Sequence, residues 1–89
     1  MNKNEGFLTF KDKNGMFHSV NMSDVSDVKF NQTNSIYENL TIAFFDKKGD
    51  VSKMIVFGEL CGDDIIEIGF NEAYSIQKMF GVNILKGYD

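Results

Sequence analysis

The side chains here with catalytic or metal-binding potential are one histidine, one cysteine and thirteen carboxylates, spread over 89 residues. His18 lies six positions after Asp12, across Asp12-Lys13-Asn14-Gly15, which reads as a turn. A carboxylate that orients an imidazole can make it a general base, and a histidine metal site needs further ligands. Spacing alone does not fix such a pairing. His18 sits in an alternating strand-like run, on the same face as Val20 and opposite Phe17, so a structural role is expected for it. Cys61 stands in Glu59-Leu60-Cys61-Gly62-Asp63-Asp64. Acidic neighbours disfavour the thiolate that a nucleophile needs, so a small packed side chain is the expectation.

The carboxylates raise the question of a metal. Asp46-Lys47-Lys48-Gly49-Asp50 has the outline of a calcium loop, but Lys48 sits at the third ligand position and no glutamate follows at the twelfth. A solvated hairpin tip is expected instead. Adjacent Asp63 and Asp64 point to opposite sides of an extended chain, so they do not imply a convergent cage. No glycine-rich run leads into Lys-Ser/Thr, and no serine sits in a nucleophile elbow. The expectation is a chain that is not an enzyme, with no cofactor, no metal and no catalytic residue.

Charge is the one strong asymmetry. Residues 1–53 balance seven lysines against seven acids. Between Met54 and Gln77 there is no lysine, while Glu59, Asp63, Asp64, Glu67 and Glu72 all fall there. This window accounts for the net charge of −4. All nine cationic residues are lysine, so no guanidinium fork is present for a phosphate or a guanine edge. With a pI near 4.8, direct nucleic-acid binding is not expected. The Lys, Asn and Phe richness without Arg fits the AT-rich genome of a low-GC bacterium or its phage.

The elements that must position these groups are mostly strands. A chain of this length forms a single domain, 1–89, with 1–5 expected to fray. Residues 6–11 and 16–22 alternate around Asn14-Gly15, a hairpin signal. The same device recurs where Ala43–Gly49 aligns with Thr9–Gly15; shared turn chemistry explains this better than a repeat. Leu40–Phe45 and Val51–Phe57 are nearly continuous in apolar and β-branched residues, so they should be the central strands. Between the hairpins, a short turn at Ser23 or Asp24 leads to a strand that begins near Val28. Residues 31–39 form a polar loop that carries one apolar pair, Ile36-Tyr37.

Residues 63–81 do not read as one helix, because Ile65, Ile66, Ile68 and Gly69 would fill its first turns. A split is preferred: a strand over 64–70 with Ile66, Ile68 and Phe70 on one face, then a short helix. In this reading Asn71 caps the helix, Ala73, Ile76 and Phe80 form its apolar stripe, and Gly81 stops it. Val82–Leu85 then adds a last strand or packs over the helix end. The fold class is α+β: a mostly antiparallel β-meander sheet of about five or six strands, with one short helix near the C-terminus packed on it.

No apolar h-region or membrane-length run is present, and the lone cysteine excludes an intramolecular disulfide. A cytoplasmic protein is expected. The function expected is non-catalytic binding of a protein with a basic surface, in the manner of a phage-borne inhibitor or an immunity protein. The rim would be Glu59, Asp63, Asp64, Glu67 and Glu72, with Ile36, Tyr37 and Tyr74 as apolar anchors. A second reading is a small-ligand or sensing domain with an apolar pocket between sheet and helix, because nine Phe and three Tyr can line one. Lysines at Lys11, Lys29 and Lys53 guard the strands only in part, which leaves a homodimer open.

Overall fold

The computed structural model describes residues 6–31, 39–58, 62 and 64–85. Strands β1 (Phe7–Lys11) and β2 (Phe17–Asn21) form an antiparallel hairpin. A single 3₁₀ turn, Met22–Asp24, leads into β3 (Val25–Asn31), followed by β4 (Leu40–Asp46) and β5 (Val51–Phe57). The short strand β6 (Ile65–Glu67) precedes helix α1 (Phe70–Met79). The class is α+β and mostly antiparallel, as the sequence pattern indicates.

The two hairpin tips use the same chemistry. At the first, Asp12 N–H donates to Met16 O at 2.8 Å and Gly15 N–H to Asp12 O at 3.0 Å. At the second, Asp46 N–H donates to Asp50 O at 2.9 Å and Gly49 N–H to Asp46 O at 3.0 Å. Gly15 (φ +88°) and Gly49 (φ +87°) hold the left-handed position that closes each turn. The aspartate contributes too: Asp12 Oδ1 accepts from Asn14 N–H and Met16 N–H, as Asp46 Oδ1 does from Lys48 N–H and Asp50 N–H. Each carboxylate replaces backbone partners that the turn would otherwise leave to water.

The single meander expected from the sequence divides into two sheets. The β1–β2 hairpin is one, and β3-β4-β5-β6 is the other, with β4 and β5 central. The first three strands of the larger sheet are antiparallel, but β6 joins β5 in parallel, pairing Ile55 with Ile66. One backbone bond, Lys13 N–H to Glu67 O at 2.8 Å, links the hairpin tip to β6. A common core unites both sheets and the helix. Leu8, Phe10 and Val20 come from the hairpin, Met22 from the 3₁₀ turn, Leu40, Ile42, Phe44 and Ile55 from the larger sheet, and Ala73 and Ile76 from α1.

The split at 64–70 holds, with altered boundaries. The strand ends at Glu67, and Gly69 rather than Asn71 is the N-cap, with no side-chain cap bond. Phe70 is drawn into the first turn because its ring stacks on Tyr74, one turn later, at 5.7 Å and meets Phe57 edge-on at 5.6 Å. The helix ends at Met79 and Gly81 closes it just beyond the cap: Gly81 N–H bonds Lys78 O and Val82 N–H bonds Gln77 O, a Schellman closure. Residues 82–85 add no strand and pack over the helix end. Gln77, fully buried, holds them: Oε1 accepts from Ile84 N–H and Leu85 N–H, and Nε2 donates to Leu85 O. The third strand starts at Val25, earlier than its apolar pattern suggested, because the 3₁₀ turn closes directly before it.

Candidate functional site

Alternation assigns the two faces of the β1–β2 hairpin. Leu8 and Phe10 of β1 and Val20 of β2 point inward and are buried. Thr9 and Lys11 share the outward face with Ser19, and Thr9 Oγ1 lies 3.3 Å from Ser19 Oγ. Three large apolar side chains interrupt this polar face and its tip: Phe7 is 66% exposed, Met16 66% and Phe17 71%. Such side chains normally go inside, and aromatic residues and methionine are the types enriched where proteins meet.

Beneath the same tip lies an open groove of about 490 Å³, lined by Asp12, Lys13, Asn14 and His18 from the hairpin and by Ile65, Ile66 and Glu67 from β6. His18 Nε2 lies 2.8 Å from Asp12 Oδ2, and its ring stacks on Phe10 with centroids 5.4 Å apart and planes 16° apart. The pairing that spacing could not fix is therefore made. It leaves Asp12 with three hydrogen bonds. The bond from His18 is the largest cause holding its carboxyl below the usual carboxylate range; Met16 N–H acts in the same direction, burial opposes them, and Asn14 N–H lowers it further. An ionised Asp12 only accepts, so Nε2 carries the proton in the neutral imidazole and Nδ1 is left with its lone pair. Among the described residues no group bonds Nδ1.

The acidic candidates divide. Glu59 and Asp63 lie outside the described residues, as do the anchors Ile36 and Tyr37 and the thiol Cys61. Asp64 is exposed and borders a second groove of about 570 Å³, which also contains Lys53 and shares Ile65 and Ile66 with the first. Glu67 lies 3.8 Å from Lys13 Nζ in an ion pair whose side chains are 38% and 69% exposed. A pair this long and this wet contributes little. Glu72 is half-buried and its Oε2 accepts from Lys11 N–H at 2.9 Å, fastening helix to hairpin. Tyr74 is also half-buried, stacked on Phe70, with Lys78 Nζ 5.5 Å from its ring centre. The structure thus brings Asp64 and Glu67 to the ends of β6, and uses Glu72 and Tyr74 inside the fold.

Among the described residues no group of three or more His, Cys, Asp or Glu side chains converges to hold a metal ion. No helix among the described residues is long and apolar enough to cross a membrane. The hairpin's exposed face went unnoticed in the sequence, although a signal was there: Phe7 and Phe17 occupy the polar phase of otherwise regular alternations. Asp12 was legible as a turn residue and as a possible partner of His18, but spacing could not fix the pairing. Comparison with protein-family models, curated proteins and solved structures finds no match to this chain.

Proposed function

We propose that this chain is a non-catalytic protein that acts by binding another protein, with the tip and outer face of the β1–β2 hairpin as its contact surface. The observation that carries the reading is the exposure of Phe7, Met16 and Phe17 on one small hairpin. Fully burying a side chain of this kind stabilises by about 1.5–3 kcal/mol, so the two-thirds still exposed here keeps roughly 1–2 kcal/mol each for a partner. Anchors of this type ringed by polar groups match the centre-and-rim pattern of binding surfaces. The partner we put forward has a basic surface, because the acidic window supplies the net charge and Asp64 is exposed close to Ile65 and Ile66. An inhibitor or immunity protein that occupies a basic cleft is one form of this function.

Pairing through the β3 edge is a weaker route to association. Asp27 Oδ1 accepts from Val28 N–H at 2.9 Å on that edge strand, and a bulge lies between Val25 and Asp27. Both features oppose addition of another strand.

The test compares the wild-type chain with the triple variant Phe7→Ser, Met16→Ser, Phe17→Ser as bait in lysate of the source organism, at low and high salt. All three side chains face solvent, so far-UV circular dichroism should be unchanged. The expected result is a basic protein retained by wild type, weakened by salt and reduced more than tenfold by the variant, as a loss above about 1.4 kcal/mol requires. Equal retention by wild type and variant refutes the hairpin as the contact surface.

A further inference from the structure

The groove beneath the hairpin tip combines a fixed acceptor, a weakly engaged carboxylate and an apolar wall, and these select one kind of occupant. His18 is held in place at two points: Asp12 Oδ2 bonds Nε2 at 2.8 Å, and Phe10 stacks on the ring. In the neutral imidazole Nδ1 therefore offers a lone pair from an oriented ring in the groove lining. Glu67 stands on β6, and its only ion pair among the described residues is the 3.8 Å contact with the Lys13 ammonium. Ile65 and Ile66 supply hydrocarbon surface to the same groove.

Charge decides which ligands fit. Asp12 and Glu67 are negative and Lys13 is positive, so the lining of the groove sums to one negative charge with the imidazole neutral. An anion would meet two carboxylates and find donors only on Lys13 and Asn14. A cation with several N–H groups finds the opposite. A guanidinium presents five donors in a planar fork, which can bond a carboxylate at two points and direct a further N–H to a neighbouring acceptor. Its aliphatic stem covers apolar surface while the head reaches polar groups.

We infer that this groove receives an arginine side chain of the partner protein: Glu67 takes the guanidinium fork, His18 Nδ1 accepts a further N–H, and Ile65 and Ile66 bear the stem. The inference rests on the protein-binding reading above and adds the chemistry of the contact beneath the tip. In the bound state Lys13 gives up its long contact with Glu67 and turns to solvent, a small loss for an exposed pair.

The test is an NMR titration of the isotope-labelled full chain with N-acetyl-arginine amide, beside the lysine amide and the amide of citrulline, a neutral near-isostere of arginine. Arginine amide is expected to shift the Ile65 and Ile66 methyls and the His18 ring saturably, with Kd of the order of 10 mM, as suits a single side chain. Citrulline amide should bind at least fivefold more weakly. Glu67→Gln and His18→Phe should each weaken arginine amide at least fivefold. The first leaves the Glu67 carbonyl free to accept from Lys13 N–H, and the second keeps an aromatic ring against Phe10. No saturable shift in the groove, or equal shifts with citrulline amide, overturns the inference. Lysine amide binding as tightly as arginine amide overturns the guanidinium assignment.

The two readings fail separately. The triple hairpin variant should still bind arginine amide, since none of its substitutions lines the groove. A partner lost by that variant, together with no arginine amide binding, removes the groove inference alone. Arginine amide binding without any hairpin-dependent partner removes the protein-binding reading and its arginine donor with it.

Discussion

Replacing Gln77 with Met tests what holds the last described segment. Met is unbranched, close in size and equally suited to a helix, so the change deletes hydrogen bonds while largely keeping volume. It strands three backbone groups: Ile84 N–H at 3.0 Å, Leu85 N–H at 2.8 Å and Leu85 O at 2.6 Å from the amide. A buried group left unsatisfied costs about 1–3 kcal/mol. Ile84 is half-buried, so water can serve its N–H, whereas Leu85 is fully buried and its two groups bear the penalty. The expected loss is about 3 kcal/mol, a large share of the roughly 4–13 kcal/mol a domain of this size possesses. With a urea m-value near 1 kcal/mol/M, the midpoint should fall by about 3 M, and Tm by roughly 12–24 °C. The assay is urea unfolding followed by circular dichroism, with amide exchange read at Ile84 and Leu85. A midpoint shift below about 1 M with unchanged protection at both amides would refute the reasoning, and would mean that the burial of Leu85 alone secures the segment.

Two further outcomes follow from the hairpin. Asp12 has a folded-state pKa below that of a free carboxylate, so its stabilisation is present above the usual carboxylate range and is lost as pH falls through the depressed value. Asp12→Asn should therefore lower Tm at pH 7 and flatten its decline between pH 5 and pH 2; parallel curves for variant and wild type would show that the carboxylate does not anchor the tip. Glu72→Ala removes the acceptor for Lys11 N–H and should cost about 1 kcal/mol with faster exchange at that amide. Unchanged exchange at Lys11 would mean that the helix and hairpin are joined by apolar packing alone.

The fold was legible wherever one rule decided the outcome. Alternation located β1 and β2, the glycines at 15 and 49 fixed both turns, and the continuous apolar runs marked β4 and β5 as central. Ile65, Ile66 and Ile68 argued correctly against one long helix. What was hidden depended on partners distant in sequence. The parallel union of β5 and β6 leaves the same alternation an antiparallel pair would leave, since only the backbone bonding differs. The helix cap moved from Asn71 to Gly69 because aromatic packing of Phe70 outweighed a favourable side-chain cap. The charge window was read as a sum, but charge counts say nothing of engagement: Glu72 is bonded to a residue 61 positions earlier, and Glu67 meets Lys13. Of its described acids, only Asp64 has neither an ion pair nor a hydrogen bond among the described residues.

The second hairpin serves as an internal control for the first. Asp46 performs every task that a tip of this type requires, accepting two backbone N–H groups through Oδ1 beside a left-handed glycine. Among the described residues it has no histidine partner. Asp12 performs the same task and also uses Oδ2 to orient His18. The turn therefore does not account for the imidazole, and neither does the core, which takes its hairpin side chains from Leu8, Phe10 and Val20. The large exposed apolar residues differ in the same direction: this hairpin carries Phe7, Met16 and Phe17 at 66%, 66% and 71% exposure, whereas the β4–β5 hairpin carries Val51 alone, at 49%. Two departures from structural need on one hairpin, one on each side of its tip, support placing the contact surface there rather than along the acidic window as a whole. Exchanging Asp12–Phe17 for the sequence of Asp46–Val51 should preserve the fold, because both loops close through the same bonds, and should abolish partner binding; a swapped chain that folds and still binds would move the contact surface elsewhere.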